Sequence, residues 1–216
     1  MLLLFLMNSS VVAWGYPITA AGRWDVQVFV RGTKGTPYFN ETYKYATVRM
    51  KQGRKLENTR VKLDLVTQEL VVEVANGIET NLSAGMVSEL SYADTTASGI
   101  VFYTFKTGFP PVDKQNEKTF YLVLSEGRCS LVKAIVKKAI ERRNELSGEV
   151  VKEFEATEQT YLFTKGEMKV FKKDKDFILS VLADKKAEMN QYLTEHATNF
   201  RNQEHMIRLL NYYNSL

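Results

Sequence analysis

Up to Phe171, apolar and polar residues alternate mostly with a period of two, and the period changes only towards the C-terminus. The pattern is clearest in residues 45–92. There Arg60-Val61-Lys62-Leu63-Asp64-Leu65 puts Val61, Leu63 and Leu65 on one face and charges on the other. Residues 69–74 repeat the alternation after Thr67-Gln68, and Asn76-Gly77 precedes residues 78–82. A period of two marks a half-buried strand, and Asn-Gly between two such runs is a strong hairpin signal. Residues 45–92 therefore read as an antiparallel meander.

Further strands are predicted around it. Residues 24–30 alternate weakly and form the expected first strand, followed by a loop over 32–37, where two glycines and Pro37 break regular structure. Residues 43–50 are rich in aromatic and β-branched side chains, as strands are. Strands are expected at 87–92 and 100–105, with a small, polar loop over 93–99 between them and a Gly-Pro-containing loop from Gly108 to Lys118. Two hairpins follow, turning at Gly127 and Gly166. Between them, residues 131–143 carry a stripe at spacing four (Leu131, Ile135, Ala139; Val132, Val136, Ile140) that also suits a strand. The reading is strand to about Ile135, with helix or strand left open over 134–143.

The last forty or so positions shift to helical spacing. Asp174 is placed to cap a helix presenting Phe177, Ile178, Val181 and Leu182, and Asp184 to cap a second helix with Ala187, Met189, Tyr192 and Leu193. Asn202 is placed to cap a third, with Met206, Ile207, Leu209, Leu210 and Tyr213. No Pro or Gly separates this block from Phe171, so it is expected to dock on the sheet. The fold class is α+β: an antiparallel strand-rich body over residues 21–173 with a small C-terminal helical block over 174–216.

The N-terminus reads Met-Leu-Leu-Leu-Phe-Leu-Met and continues to Ala13, Trp14 and Gly15. The run is shorter than the roughly 18 apolar residues that span a bilayer. It suits a secretory signal peptide over residues 1–20, although the usual basic residues before the apolar run are missing. The expected location is therefore outside the cytoplasm: periplasmic, outer-membrane-associated or extracellular.

Composition narrows the chemistry. Of 216 residues, 29 are basic and 25 acidic, a net charge of +4 with both signs interspersed, which does not call for a nucleic-acid partner. The one cysteine, Cys129, excludes an intramolecular disulfide and a cysteine zinc cluster, and it reads as a small strand residue. His196 and His205 are the two histidines; on one continuous helix they would face opposite sides, so no metal site is nominated. Gly-x-Ser-x-Gly, Gly-x-Gly-x-x-Gly and P-loop patterns are absent. No catalytic, cofactor-binding or metal-ligating residue is nominated. Asp64, Glu69, Glu73 and Glu79 fit the wet face of a half-exposed sheet. Two basic clusters stand out, Lys133, Lys137, Lys138, Arg142 and Arg143, and Lys172, Lys173 and Lys175; either is a solvated face or meets anionic headgroups or polysaccharide. Asn40-Glu41-Thr42 and Asn81-Leu82-Ser83 match glycosylation sequons.

The residues Gly35-Thr36-Pro37-Tyr38-Phe39-Asn40, the strands over 61–74, the run Val87-Ser88-Glu89-Leu90, the later Tyr-to-Gly hairpins and the terminal Leu209-Leu210-Asn211-Tyr212-Tyr213-Asn214 resemble a group of uncharacterised secreted proteins of Bacteroidota. The resemblance covers the chain from about Trp24 to Leu216. It implies export to the cell envelope, and it carries no catalytic residues to transfer. The expected function is a non-enzymatic binding or structural module that meets an envelope protein or a glycan, with peripheral contact to a membrane surface and no cofactor. A carboxylate-dependent hydrolase of envelope glycans is the alternative; it needs two acids across one pocket.

Overall fold

The computed structural model of the chain describes residues 30–216 apart from positions 76, 98, 144 and 147. The expected signal peptide, the strand over 24–29 and Asn76 of the hairpin signal lie outside the described residues. Among the described residues, eleven strands form one sheet, nearly all antiparallel, with three short helices at the C-terminal end. The strands are β1 (Val30–Lys34), β2 (Lys44–Met50), β3 (Lys55–Asp64), β4 (Glu69–Ala75), β5 (Ile78–Ser83), β6 (Val87–Thr96), β7 (Gly99–Lys106), β8 (Tyr121–Ser125), β9 (Cys129–Arg143), β10 (Val150–Thr164) and β11 (Glu167–Val170). Their order is β1-β10-β9-β8-β7-β6-β2-β3-β4-β5, with β11 pairing the far half of β10.

Strands β3, β4 and β5 are the expected meander, and the alternation points Val61, Leu63, Leu70 and Val72 inward. The next strand does not continue it. Strand β6 returns to pair with β2, leaving β4, β3 and β2 between β5 and β6 in the sheet. In a flat sheet those four spacings are about 19 Å, whereas the connection from Ser83 to Val87 reaches at most about 14 Å. The strands must therefore roll, and β6-β2-β3-β4-β5 wrap a first core that includes Val48, Val61, Leu70, Leu90 and Phe105. The β3–β4 turn then meets β9, where Lys137 N–H donates to Leu65 C=O at 2.9 Å. Gln68, held at φ 56°, fastens that junction: its amide donates to Leu65 C=O and Ile135 C=O and accepts from Phe120 N–H.

Three local expectations are corrected. Residues 32–34, expected in a loop, lie in β1, because parallel pairing with β10 at Gly32↔Val151 and Lys34↔Glu153 supplies the ladder that the glycine alone would not favour. Residues 93–96 and 99 belong to the β6–β7 hairpin, since Ala93↔Phe102 and Thr95↔Ile100 keep the ladder running to a tight turn. Asp184 caps no helix; it sits in a 3-10 turn (Ala183–Lys185) and accepts from Tyr213 Oη at 2.8 Å instead. The open stretch 134–143 is strand: β9 stays paired with β10 through Arg143.

Helices α1 (Lys175–Val181), α2 (Lys186–Glu195) and α3 (Gln203–Ser215) complete the chain. Asp174 caps α1 at Phe177 N–H, and Asn202 caps α3 at Glu204 and His205 N–H, as their positions predict. Helix α3 buries Met206, Leu209, Leu210 and Tyr213 in a second core with Cys129, Leu131 and Leu162, so the block is docked on β8–β10. Among the described residues no helix is long and apolar enough to cross a membrane.

Candidate binding surface

Strand β2 sends Ala46 and Val48 inward and Tyr45 and Thr47 to the opposite, outer face. On the neighbouring strands the outer face carries Ser91 and Ala93 of β6 and Phe102 and Thr104 of β7, by the pairs Thr47↔Ser91, Ser91↔Thr104 and Ala93↔Phe102. One further step along the β2–β6 ladder sets Tyr45 beside Ala93. Tyr45, Ala93 and Phe102 thus form a lateral row, ring, methyl, ring. Two strand spacings, about 10 Å, separate the backbones that carry the rings. Tyr45 is 64% exposed and Phe102 80% exposed, although Phe102 lies in a continuous apolar run, Ile100-Val101-Phe102-Tyr103. Between them lies a shallow groove of about 390 Å³ with Thr47, Ser91 and Thr104 hydroxyls along it.

Tyr45 and Asn58 also line a second cleft of about 600 Å³, which adjoins the first at these shared residues. Its walls include Met50, Leu56, Val72 and Leu82, one from each of β2 to β5, and Met86 of the β5–β6 connection. The cleft lies where the β2–β5 roll is not sealed. Positive φ at Asn58 (49°) marks the irregularity in β3, where the β2 register shifts between Ala46 and Val48. Arg54 lines the cleft with no ion-pair partner among the described residues, whereas Arg60 pairs with Glu73 at 2.7 Å.

The acidic residues of the meander are each engaged. Glu73 is held by Arg60, Glu79 accepts from Tyr43 Oη, Glu69 accepts from Asn81, and Asp64 caps the turn at Val66 and Thr67 N–H. This cleft carries one carboxylate, Glu73, and a cleft of about 710 Å³ elsewhere among the described residues also carries one, Glu69. The first basic cluster of the sequence is dispersed. Lys133 pairs with Glu158, Arg142 with Glu153 and Glu155, and Lys137 donates to Thr36 C=O and Tyr38 C=O as a strut. His196 stacks on Tyr192, and His205 accepts from Asn199 N–H. Cys129 is fully buried and burial pushes its thiol up to about 12, so it is held as the thiol. Asn40, of the first sequon, is occupied by bonds to Asp94 and Tyr92; Asn81, of the second, stands exposed on the edge strand β5.

Sequence reasoning missed Tyr45 and Phe102. Alternation identifies Tyr45 as opposite Ala46 and Val48, but nothing local says that Phe102 faces outward in a run apolar on both faces. No family model matches the chain, and neither a curated protein nor a solved structure matches it.

Proposed function

We propose that this is an exported, non-enzymatic module that binds a glycan across the outer face of the rolled sheet. The observation that carries the reading is the pair of exposed rings, Tyr45 and Phe102, in one row over a floor of small and hydroxyl side chains. Sugar rings present C–H faces that stack on aromatics, and their hydroxyls pair with Ser and Thr side chains. The spacing of about 10 Å between the two strand positions and the adjoining 600 Å³ cleft suit a chain rather than a single sugar. Binding is favoured over carboxylate hydrolysis because an acid pair needs two carboxyls across one pocket, and Glu73 stands alone in its cleft with Arg60 upon it. The apolar N-terminal run, of signal-peptide character, supports export.

The test is a glycan array followed by calorimetry. A glycan bound by the chain should lose about tenfold in affinity in Tyr45→Ala and again in Phe102→Ala, with the fold intact by circular dichroism. Absence of any saturable glycan, or binding by both variants at the affinity of the unaltered chain, overturns the reading.

A further inference from the structure

A separate cleft of about 710 Å³ opens on the other side of the roll, where the β3–β4 turn, the end of β5, β9–β10 and the 107–119 loop converge. Three lysines line it: Lys114 and Lys118 from the loop, and Lys138 from β9. Lys114, Lys118 and Lys138 have no ion-pair partner among the described residues, and what sets them apart from other such lysines is that they line one cleft. Glu69 is the one acid in the lining, and it is turned to Asn81. Thr67 and Thr157 add hydroxyls to the wall.

The lysines are carried on a built frame. The loop is tied by reciprocal bonds between Val112 and Gln115, by Gly108 N–H to Glu117 C=O, and by Asn116 capping Lys118 N–H. Thr119 is buried and bonded to Gln115 and Asn116. Gln68 anchors the next residue, Phe120, to the β3–β4 turn. Like charges gathered on a concave wall repel one another and focus a positive field, which an anion relieves. Three lysines brought by two distant segments onto one fixed frame outnumber the acids near them: Glu69 is turned to Asn81, and Glu155, opposite Lys138 in the ladder, is held by Arg142.

We infer that this cleft is a binding site for a small oligoanion, a ligand with closely spaced carboxylate or phosphate groups, distinct from the aromatic groove. Lys114, Lys118 and Lys138 contact the anionic groups, and Thr67 and Thr157 accept or donate to the ligand's remaining polar atoms. Phosphate and carboxylate sources share this chemistry, and the probes below separate them.

The experiment is calorimetric titration of the full chain with tripolyphosphate and with trigalacturonate, with neutral maltotriose as the control. Saturable binding of at least one anion is expected, weakening as salt rises. The triple variant Lys114→Gln/Lys118→Gln/Lys138→Gln should lose about tenfold or more, while the arginine triple variant retains binding. Tripolyphosphate alone binding assigns a phosphorylated ligand, and trigalacturonate alone an acidic saccharide. Binding of neither anion, or binding that survives the glutamine triple variant, overturns the inference. Trigalacturonate binding lost only in the Tyr45 and Phe102 double variant also overturns it, and belongs to the aromatic groove. Failure of the aromatic reading leaves the lysine variants informative, because the two sets share no residue.

Discussion

Asn214 and Gly127 show how much one pair of residues can hold. The Asn214 side chain accepts from Cys129 N–H at 3.0 Å and donates to Cys129 C=O at 3.0 Å, completing the start of β9 as if it were a further strand residue. It comes so close to Gly127 that a Cβ there would lie 2.7 Å from Asn214 Cβ and nearer still to its amide. Beside it, Arg128 donates to Tyr213 C=O and lies over the Tyr213 ring. Glycine at 127 is thus required by a close approach and not by a turn angle. Gly127→Ala should cost about 2 kcal/mol through overpacking, and Asn214→Ala a similar amount by orphaning buried backbone groups. The double variant should cost less than the sum, because both changes undo one docking contact, and urea denaturation measures all three. The sequence shows both residues as plain turn and C-terminal positions. Their partnership spans 87 positions, and no local pattern encodes it.

At the scale of elements, the helical block is a lid over the second core. Helix α3 has strong helical spacing and a side-chain cap, and both were legible because they depend on neighbours within four residues. What it covers was not legible: the β8–β9 face bearing Cys129 and Leu131 is apolar on its strand period alone. Leu209 is fully buried there. Leu209→Ala should destabilise the fold by about 2–5 kcal/mol, read as a shift in the denaturation midpoint with the slope unchanged. The long hairpin β9–β10 was half legible for the opposite reason. Leu131, Ile135 and Ala139 satisfy a helical stripe as well as a strand, and the tie is broken by fifteen pairs with β10 and not by propensity.

For the molecule as a whole, the tyrosines report on both cores at once. Tyr213 is pushed up to about 12, by burial first and then by its bond to Asp184. Tyr92 and Tyr121 are raised further by burial, and Tyr121 Oη has no hydrogen-bond partner among the described residues. A phenol with a raised folded-state pKa binds its proton more tightly in the native chain than in the unfolded one. The stability it supports is present in full below the ordinary value of 10.0 and declines as pH rises through it towards the folded value. Alkaline titration should therefore show a loss of stability beginning near pH 10, with late tyrosinate absorbance appearing together with loss of the circular dichroism signal. Tyr213→Phe should reduce that loss. A midpoint of unfolding that stays level from pH 9 to about 12 would contradict the assignment.

Local chemistry by itself determined the strand-rich body, the hairpins at Gly127 and Gly166, two of the three helix caps and the docking of a C-terminal block, because period, cap and turn are set within a few residues. Only the tertiary structure decided that β6 returns to β2, that the sheet therefore rolls, and that Tyr45 and Phe102 come to share one outer face. It alone gathered Lys114 and Lys118 beside Lys138 while dispersing the basic run that stands out in the sequence. The physical reason is common to these outcomes. A strand's alternation states that it has two faces, but which face looks inward, and which strands become neighbours, depends on the summed pairing and burial of segments far apart in the chain.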